Sequence, residues 1–287
     1  MKQKILFAIL ITILISSCSK MEDVTILGNI PPPDHTIDSS VINLYINKAF
    51  INLIGREPVG NERGDGLVIL KQHNFSGDDR KQFIGSFFSK PEYADNLYSV
   101  ANGEYLRNLD SLEIAQQIYL FNYFLTQPQY APFYSYIQIE LYRLDTLQMI
   151  LPMMRSGTMD YRSMLSRMSN NYFYDQINMG SENFVVSTYQ NFLFRYPSDA
   201  ELLNGKTMVD GNTATVFFQL GKSKYDYINI FFNTDDYYEG QVRFIFKKYL
   251  FREPSSAEIF FYADIYKHGT YQDLQKAIFA TDEYAGI

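Results

Sequence analysis

A set of landmark residues that occurs three times constrains this chain more than any other feature. Each copy has an arginine, a proline two residues later, and a glutamate four residues after the proline; further on, a tyrosine stands five residues after a phenylalanine. The landmarks are Arg56, Pro58, Glu62 and Tyr93, then Arg195, Pro197, Glu201 and Tyr237, and finally Arg252, Pro254, Glu258 and Tyr284. Self-similarity of this kind indicates one structural unit used three times.

Apolar residues before each arginine recur with the period of an α-helix. They stand ten, six, three and two positions before it, which in the third copy are Val242, Phe246, Tyr249 and Leu250. This spacing places them on one helix face. Because the residue before a proline is pushed out of the helical region, the helix is predicted to end in Arg-x-Pro, at the proline.

Capping residues predict a second helix directly after the proline. Ser198 with Glu201, and Ser255 with Glu258, have the spacing of a capping box, in which a hydroxyl and a carboxylate pair with free amides at a helix start. Val59 replaces the serine in the first copy, so that start should be looser. A third helix is predicted at 78–88, 225–232 and 271–279, and a fourth from caps at Ser89, Thr234 and Thr281.

His73 and His268 are expected near the end of the second helix, where a partial positive charge suits the helix dipole. Asn74 and Gly269, which follow them, are suited to a left-handed helix cap.

Strand signals are poor, so we predict an all-α fold, a bundle of short helices built from three related helical units. The predicted divisions are a signal peptide (1–17), a lipidated flexible tether (18–37), the first unit with connecting helices (38–128), central helices (129–180) and two contiguous units (181–287). The main boundary is expected between Pro128 and Gly157, and the two contiguous units should share one core.

The first residues have the features of an export signal. Lys2 and Lys4 precede an apolar run that is too short to span a bilayer, which needs ~20 apolar residues. Ile15 to Cys18 resembles the bacterial lipobox, where the signal is cut before the cysteine and acyl chains are attached. Several acyl chains make a lasting membrane anchor. The alternative is an ordinary secretory signal with a chance cysteine, although Cys18 is the only cysteine present.

The segment after Cys18 suggests where the protein is displayed. Three consecutive prolines, Pro31 to Pro33, and the lack of apolar periodicity are typical of a tether. Glu22 and Asp23 resemble the acidic export tag of Bacteroidota surface lipoproteins, which implies an outer-membrane lipoprotein exposed at the cell surface. The periplasmic face of that membrane is the alternative.

Net charge argues against a nucleic-acid partner. Removing the signal peptide takes away two of the 25 basic residues and leaves 23 against 32 acidic ones. A negative surface repels phosphate backbones, whereas nucleic-acid-binding proteins carry a basic stripe.

The sequence offers no catalytic or metal-binding set. Its histidines, His35, His73 and His268, lack the spacing of a zinc site or the partners of a catalytic triad. The segment 60–66 mixes oxygen ligands with glycine but lacks the spacing of a calcium loop, so we expect a surface loop. We therefore predict no enzyme, no metal and no cofactor.

The repeated arginines could bind anions. We favour salt bridges with the following glutamates that join two helices and also cap a carbonyl.

Two further features concern the protein surface. Asp110-Ser111-Leu112 and Asp145-Thr146-Leu147 resemble the Bacteroidota O-glycosylation tripeptide, although Ser111 could equally be a helix N-cap. Aromatic residues between 119 and 136 exceed what one helix face can bury. Most aromatic residues should be core, and the excess suits a protein interface, where tyrosine is favoured.

The combination of Arg-x-Pro-x3-Glu with Phe-x3-Glu/Asp-Tyr resembles helical domains of unknown function in extracellular bacterial proteins, including those that accompany planctomycete cytochrome c modules. Together with the lipobox, it resembles a Bacteroidota outer-membrane lipoprotein built from such units. Haem attachment needs a Cys-x-x-Cys-His motif, which this sequence lacks.

Three functions are compatible with these features. The first is a non-enzymatic accessory or scaffold subunit of an outer-membrane complex for secretion, gliding, uptake or protein insertion, with a membrane-protein partner. The second is a surface module that binds glycans or peptides for an outer-membrane transporter. The third, a hydrolase with paired carboxylates, is the least favoured because no acid pair stands out.

Overall fold

The computed structural model describes residues 36–287, whose regular secondary structure is helical apart from one short hairpin. The all-α prediction is therefore confirmed. Cys18 and the signal peptide, together with the tether up to residue 35, lie outside the described residues. Ile37–Ile287 forms one structural unit. The predicted divisions 38–128, 129–180 and 181–287 all fall inside this unit.

The first unit and the central region consist of helices only. In the first unit these are α1 (Ser39–Ile54), α2 (Glu62–Leu70), α3 (Gly77–Gly85) and α4 (Pro91–Leu106). The central region has α5 (Ser111–Leu125), a 3-10 helix (Pro128–Phe133), α6 (Tyr134–Gln148), α7 (Ile150–Arg155), α8 (Tyr161–Ser169) and α9 (Tyr172–Ile177).

The second and third units follow without a break and contain the hairpin. Their elements are α10 (Ser181–Thr188), α11 (Asp199–Val209), β1 (Ala214–Val216), β2 (Gln219–Gly221), α12 (Lys224–Phe231), α13 (Asp235–Ile245), α14 (Ser256–His268), α15 (Tyr271–Phe279) and α16 (Asp282–Ala285). Helix α13 is the fourth helix of the second unit and also the first helix of the third.

Each first helix ends near the predicted Arg-x-Pro, but already before the arginine, at a residue with left-handed backbone conformation. Helix α1 ends at Gly55, whose φ of 78° is left-handed. Helices α10 and α13 continue as single π-helical turns, Tyr189–Leu193 and Phe246–Leu250. Phe194 and Phe251 then reverse the chain with a φ of 57° each.

The predicted capping boxes are confirmed at Ser198 and Ser255, whose hydroxyls accept from the amides of Glu201 and Glu258. The first unit starts its second helix less regularly, as expected. There α2 begins only at Glu62, and its N-cap makes no side-chain hydrogen bond.

Two predicted cap positions are wrong. Lys90, not Ser89, precedes α4, where Pro91 supplies the pre-formed helical φ of the first turn. Asn74 has the predicted left-handed φ of 54°. Gly269 does not, since its φ is −129°, and α14 ends there without a left-handed cap.

The hairpin in the second unit was not predicted. Its antiparallel strands pair Val216 with Gln219 across a two-residue turn. Both turn residues, Phe217 and Phe218, have positive φ values of 46° and 63°. Turns of this shape normally contain Asn-Gly, so the sequence carried no signal for one. The hairpin also explains why the second copy has the longest interval between its arginine and tyrosine.

The first and last helices of the described residues pack together in one hydrophobic core. On α1, the Tyr45 hydroxyl donates to the Phe279 carbonyl at 3.0 Å, and Asn52 donates to the Tyr284 hydroxyl at 2.8 Å. The second and third units touch where the Gln241 amide donates to the Phe192 carbonyl at 3.3 Å. The first unit therefore contacts the third, which in turn contacts the second.

Candidate functional site

Each landmark arginine is the centre of an ion cluster that joins three helices. Arg252 donates to both carboxylate oxygens of Glu258 at 3.0 and 2.5 Å. It also donates to both oxygens of Glu283 at 2.6 and 2.7 Å. Arg252 follows α13, Glu258 lies on α14 and Glu283 lies on α16. The guanidinium therefore links the start of the second helix to the start of the fourth.

The second copy repeats this geometry closely. Arg195 contacts the two oxygens of Glu201 at 2.9 and 2.7 Å, and Asp236 at 2.6 Å.

The first copy is similar but looser. Arg56 contacts Glu62 at 2.7 and 3.1 Å and Glu92 at 3.3 Å. In all three copies the additional acidic residue directly precedes the landmark tyrosine.

The electrostatics of these clusters favour a structural role. The hydrogen bonds from each arginine hold the pKa of Glu62, Glu201 and Glu258 at about 2. Each arginine also donates to the carbonyl of the following residue, as Arg252 does to Glu253 at 3.1 Å. That carbonyl lies beyond the helix end, so the expected carbonyl cap occurs one residue after the arginine. Arg195 borders a depression of about 430 Å³, but neither Arg56 nor Arg252 lines it.

The remaining landmarks belong to the scaffold. Tyr93, Tyr237 and Tyr284 are buried, and the Tyr93 hydroxyl donates to the Gln275 side chain at 2.6 Å. Pro58, Pro197 and Pro254 lie in the short non-helical segments between first and second helices.

The histidines within residues 36–287 are tied to acidic neighbours. His73 Nδ1 lies 2.8 Å from an Asp79 carboxylate oxygen, and His268 Nδ1 lies 3.1 Å from the carboxylate of Asp264. His35 is outside the described residues. No group of three or more His, Cys, Asp or Glu side chains in the described part is arranged to hold a metal ion.

The glycine-containing segment 60–66 is a loop only at its first two residues, because α2 begins at Glu62. This corrects the expectation of a surface loop throughout. Within the segment, Arg63 donates to Asn47 at 2.7 Å, and Lys90 donates to Glu62 at 3.0 Å. The carboxylate of Glu62, which could otherwise serve as a calcium ligand, is therefore already paired with cationic side chains.

The two possible glycosylation triplets lie at or within helices. Asp110, rather than Ser111, is the N-cap of α5 and accepts from the Glu113 amide at 2.8 Å. The Thr146 hydroxyl donates to the Arg143 carbonyl at 2.8 Å inside α6.

The helical pair α5 and α6, with the 3-10 helix between them, carries much of the exposed apolar surface and contains a long uncharged stretch. No residue from Ile114 to Ile139 is charged. Nine of the 23 exposed large hydrophobic side chains in the described region lie on this pair or directly after it: Leu112, Tyr119, Leu120, Tyr123, Phe133, Tyr136, Ile139, Tyr142 and Met149. Aromatic enrichment together with depletion of charge is typical of the centre of a protein interface.

A second surface feature is an open groove of about 830 Å³ between α6, α8 and α12. Four basic side chains line it, and none of its lining residues in the described structure is acidic: Ile139, Tyr142, Arg143, Thr146, Arg162, Ser163, Ser166, Arg167, Asn170, Ser223, Lys224, Tyr225, Asn229, Phe232 and Asn233. Sequence analysis missed it. The available signal was a polar stripe with helical spacing on each of three helices, but nothing in the sequence indicated that these stripes converge.

No protein family, curated protein or solved structure matches the chain. Among the helices of residues 36–287, none is both long and apolar enough to cross a bilayer.

Proposed function

We propose that the protein is a non-enzymatic lipoprotein, anchored in the outer membrane through acylated Cys18, that serves as an accessory or scaffold subunit of an outer-membrane complex. The uncharged stretch 114–139 of the pair α5–α6 carries this proposal. Tyr119 is 75% exposed, and Tyr123 follows it by one helical turn with half of its side chain exposed. Water-exposed rings on a surface without charge gain free energy when a partner covers them.

The internal construction of the fold is consistent with a scaffold. The repeated arginines form hydrogen bonds that join neighbouring helices, and the landmark tyrosines are buried in the core. A scaffold protein acts through the surface that binds its partners. The resemblance of the repeats to extracellular helical domains supports the same proposal.

The first experiment is co-purification from cross-linked membranes with matched variants. We expect one membrane protein to be recovered in stoichiometric amount with the wild-type chain and to be lost with Tyr119→Lys/Tyr123→Lys. The control Leu44→Lys/Val68→Lys adds the same charge at two exposed apolar positions of the first unit and should retain that protein. Equal recovery with both double variants, or no stoichiometric protein with the wild type, would contradict the proposal.

The anchor is tested separately. Cys18→Ala should abolish incorporation of labelled palmitate and shift the protein out of the membrane fraction. Protease treatment of intact cells should degrade a surface-exposed chain and spare one on the periplasmic face. Palmitate labelling that persists in Cys18→Ala would show that the anchor is misassigned.

A second candidate function is a binding module for glycans or peptides, and the basic groove is the observation that favours it. In that case the soluble part of the chain binds a ligand directly, without a membrane-protein partner.

A further inference from the structure

We propose that the groove between α6, α8 and α12 binds an acidic oligosaccharide, a sugar chain that carries carboxylate or sulfate groups. The groove shares Ile139 and Tyr142 with the exposed apolar surface of α5 and α6, but Tyr119 and Tyr123, on which the test of the scaffold role depends, do not line it, so the two proposals are tested separately. It rests on the charge of the groove, its free polar groups and its exposed rings.

The concentration of positive charge in the groove contrasts with the whole chain, which carries a formal net charge of −7. An anion is therefore repelled by most of the surface and attracted to this one place. The carboxylates that pair with the groove cations, those of Glu140, Asp160 and Asp175, do not line it. The lining is thus basic, although Arg162 has 31% of its side chain exposed while Arg143 and Lys224 have only 18% and 15%.

Two of the four cations keep donors for a ligand. Arg167 reaches only the Thr146 carbonyl and the Met153 sulfur, both at 3.4 Å, and has no acidic partner among the described residues. Arg162 donates from one guanidinium nitrogen, Nη1, to Asn233 and to the Tyr238 hydroxyl, both at 2.8 Å, and lies 3.9 Å from its nearest carboxylate, Asp160. A guanidinium without a close carboxylate is suited to bidentate binding of an incoming carboxylate or sulfate.

The other two cations are each held by an acidic partner, of which only Glu140 is buried. Arg143 donates to the buried Glu140 at 2.6 Å, and Lys224 pairs with Asp175. These pairs hold one charged group on α6 and one on α12, so that little side-chain entropy is lost when a ligand binds.

Uncharged polar groups between the cations match the hydroxyl groups of a sugar. The side chains of Ser163, Ser166 and Asn229 make no hydrogen bond to any other described residue, and Asn170 Oδ1 is buried there without a partner. Hydroxyls and amides both donate and accept, as sugar hydroxyls do.

Two tyrosine rings complete the match to a saccharide. Tyr142 is 70% exposed on the α6 side, and Tyr225 is 66% exposed on the α12 side. A flat ring can stack on the apolar face of a sugar, which buries carbon surface while the sugar hydroxyls stay hydrogen-bonded. The Asp and Glu residues of an acidic peptide offer less C–H surface to these rings than a sugar ring does, which is why a saccharide is favoured.

Calorimetric titration of the soluble domain with two acidic probes and one neutral probe tests the proposal. The acidic probes are trigalacturonate, which carries carboxylates, and a chondroitin sulfate tetrasaccharide, which also carries sulfate. The neutral probe is trigalacturonate with each carboxylate reduced to a hydroxymethyl group. We expect at least one acidic probe to bind at least tenfold more tightly than the neutral one, with an affinity that falls as salt is added.

Variants locate the binding. Arg162→Gln/Arg167→Gln should weaken the acidic probe at least tenfold, and Tyr142→Ala should weaken it with no change in charge. The control Lys81→Gln/Arg155→Gln removes the same charge outside the groove and should bind as the wild type does. Circular dichroism checks that each variant is folded, and Tyr142→Ala provides an independent readout if the double variant is not.

Three results would overturn the proposal. The first is failure of both acidic probes to bind at millimolar concentration, and the second is equal weakening in the groove and control double variants. The third is tighter binding of a triglutamate peptide than of either saccharide, which would assign the groove to a peptide. None of these results bears on co-purification of a membrane partner, so failure here is distinguishable from failure of the scaffold proposal.

Discussion

The arginine of each repeat shows how one side chain can fix the joint of a helical unit. Its planar group has five donors in a rigid fork, which suits two carboxylates at once. In the third unit, Glu258 supplies the capping box of α14 and, with the same carboxylate, accepts from Arg252. One acidic residue therefore satisfies a helix start and an interhelical ion pair.

We expect Arg252→Ala to destabilise the fold rather than to remove a ligand site. The loss should be about 1–2 kcal/mol, since bonds to charged groups are strong but the pair is about one-third exposed and so partly screened. Urea unfolding followed by circular dichroism measures the effect. Binding of the acidic saccharide in the groove should be unchanged in the folded variant, and loss of binding without loss of stability would contradict the structural role.

Acid should weaken the same joints. The pKa of Glu258 is held at about 2 by Arg252, below its ordinary 4.5. A carboxyl with a lowered folded-state pKa stabilises the protein above its unfolded pKa, and this contribution is lost as the pH falls from about 4.5 towards 2. Urea unfolding at pH 6 and pH 3 should therefore show a smaller acid-induced loss for Glu258→Gln than for the wild type. Equal losses would show that the carboxylate is not stabilised in the folded state.

At the scale of elements, several turns between helices or strands hold residues in an unfavourable backbone conformation. Positive φ costs bulky residues roughly 1–2 kcal/mol, yet Phe194, Phe217, Phe218 and Phe251 all adopt it. Packing of the Phe217 ring on Tyr189, with ring centroids 5.8 Å apart, offsets part of this free-energy cost. Phe218, fully exposed at the tip of the hairpin, has no such contact within the described structure.

Replacing Phe218 with glycine should therefore stabilise the protein by roughly 0.5–1 kcal/mol, since glycine adopts positive φ without strain but gains entropy when unfolded. The matched variant Phe217→Gly removes buried ring contacts and should destabilise. Thermal unfolding of both proteins distinguishes the two effects. If Phe218→Gly proves less stable than the wild type, the turn is not strained in the way its φ values indicate.

Helices were easier to predict than the segments that interrupt them. Periodic apolar residues and capping boxes gave the ends of α10 and α13 and the starts of α11 and α14. The hairpin at 214–221 has neither an Asn-Gly turn nor a long alternating run, and its turn is held by contacts with distant aromatic rings. Long-range packing overrode the local preference there, so the sequence could not reveal it.

At the scale of the whole molecule, the first and third units close the fold. The ring of Tyr284, near the end of the chain, stacks on Phe279 with centroids 4.4 Å apart and meets Tyr45 of α1 edge-on at 5.8 Å. Arg80 of the first unit also pairs with Asp282. Residues more than 200 positions apart thus depend on each other for burial.

Tyr284→Ala should cost about 3–5 kcal/mol, the range for removing a buried aromatic ring. The loss should appear first as faster hydrogen exchange in α1, because α1 packs directly against this ring. The exposed Tyr142→Ala is the matched control and should change stability little. Exchange that rises in α14 but not in α1 would place the dependence elsewhere.

The sequence by itself determined the helical class, the three related units and the residues at their joints. Those features depend on contacts within a few helical turns, which the order of residues records directly. Only the tertiary structure decided that the first unit closes on the third and that polar faces of α6, α8 and α12 meet in a basic groove. These arrangements follow from how the helices pack in one core, and helix periodicity specifies which face is buried but not which helix will cover it.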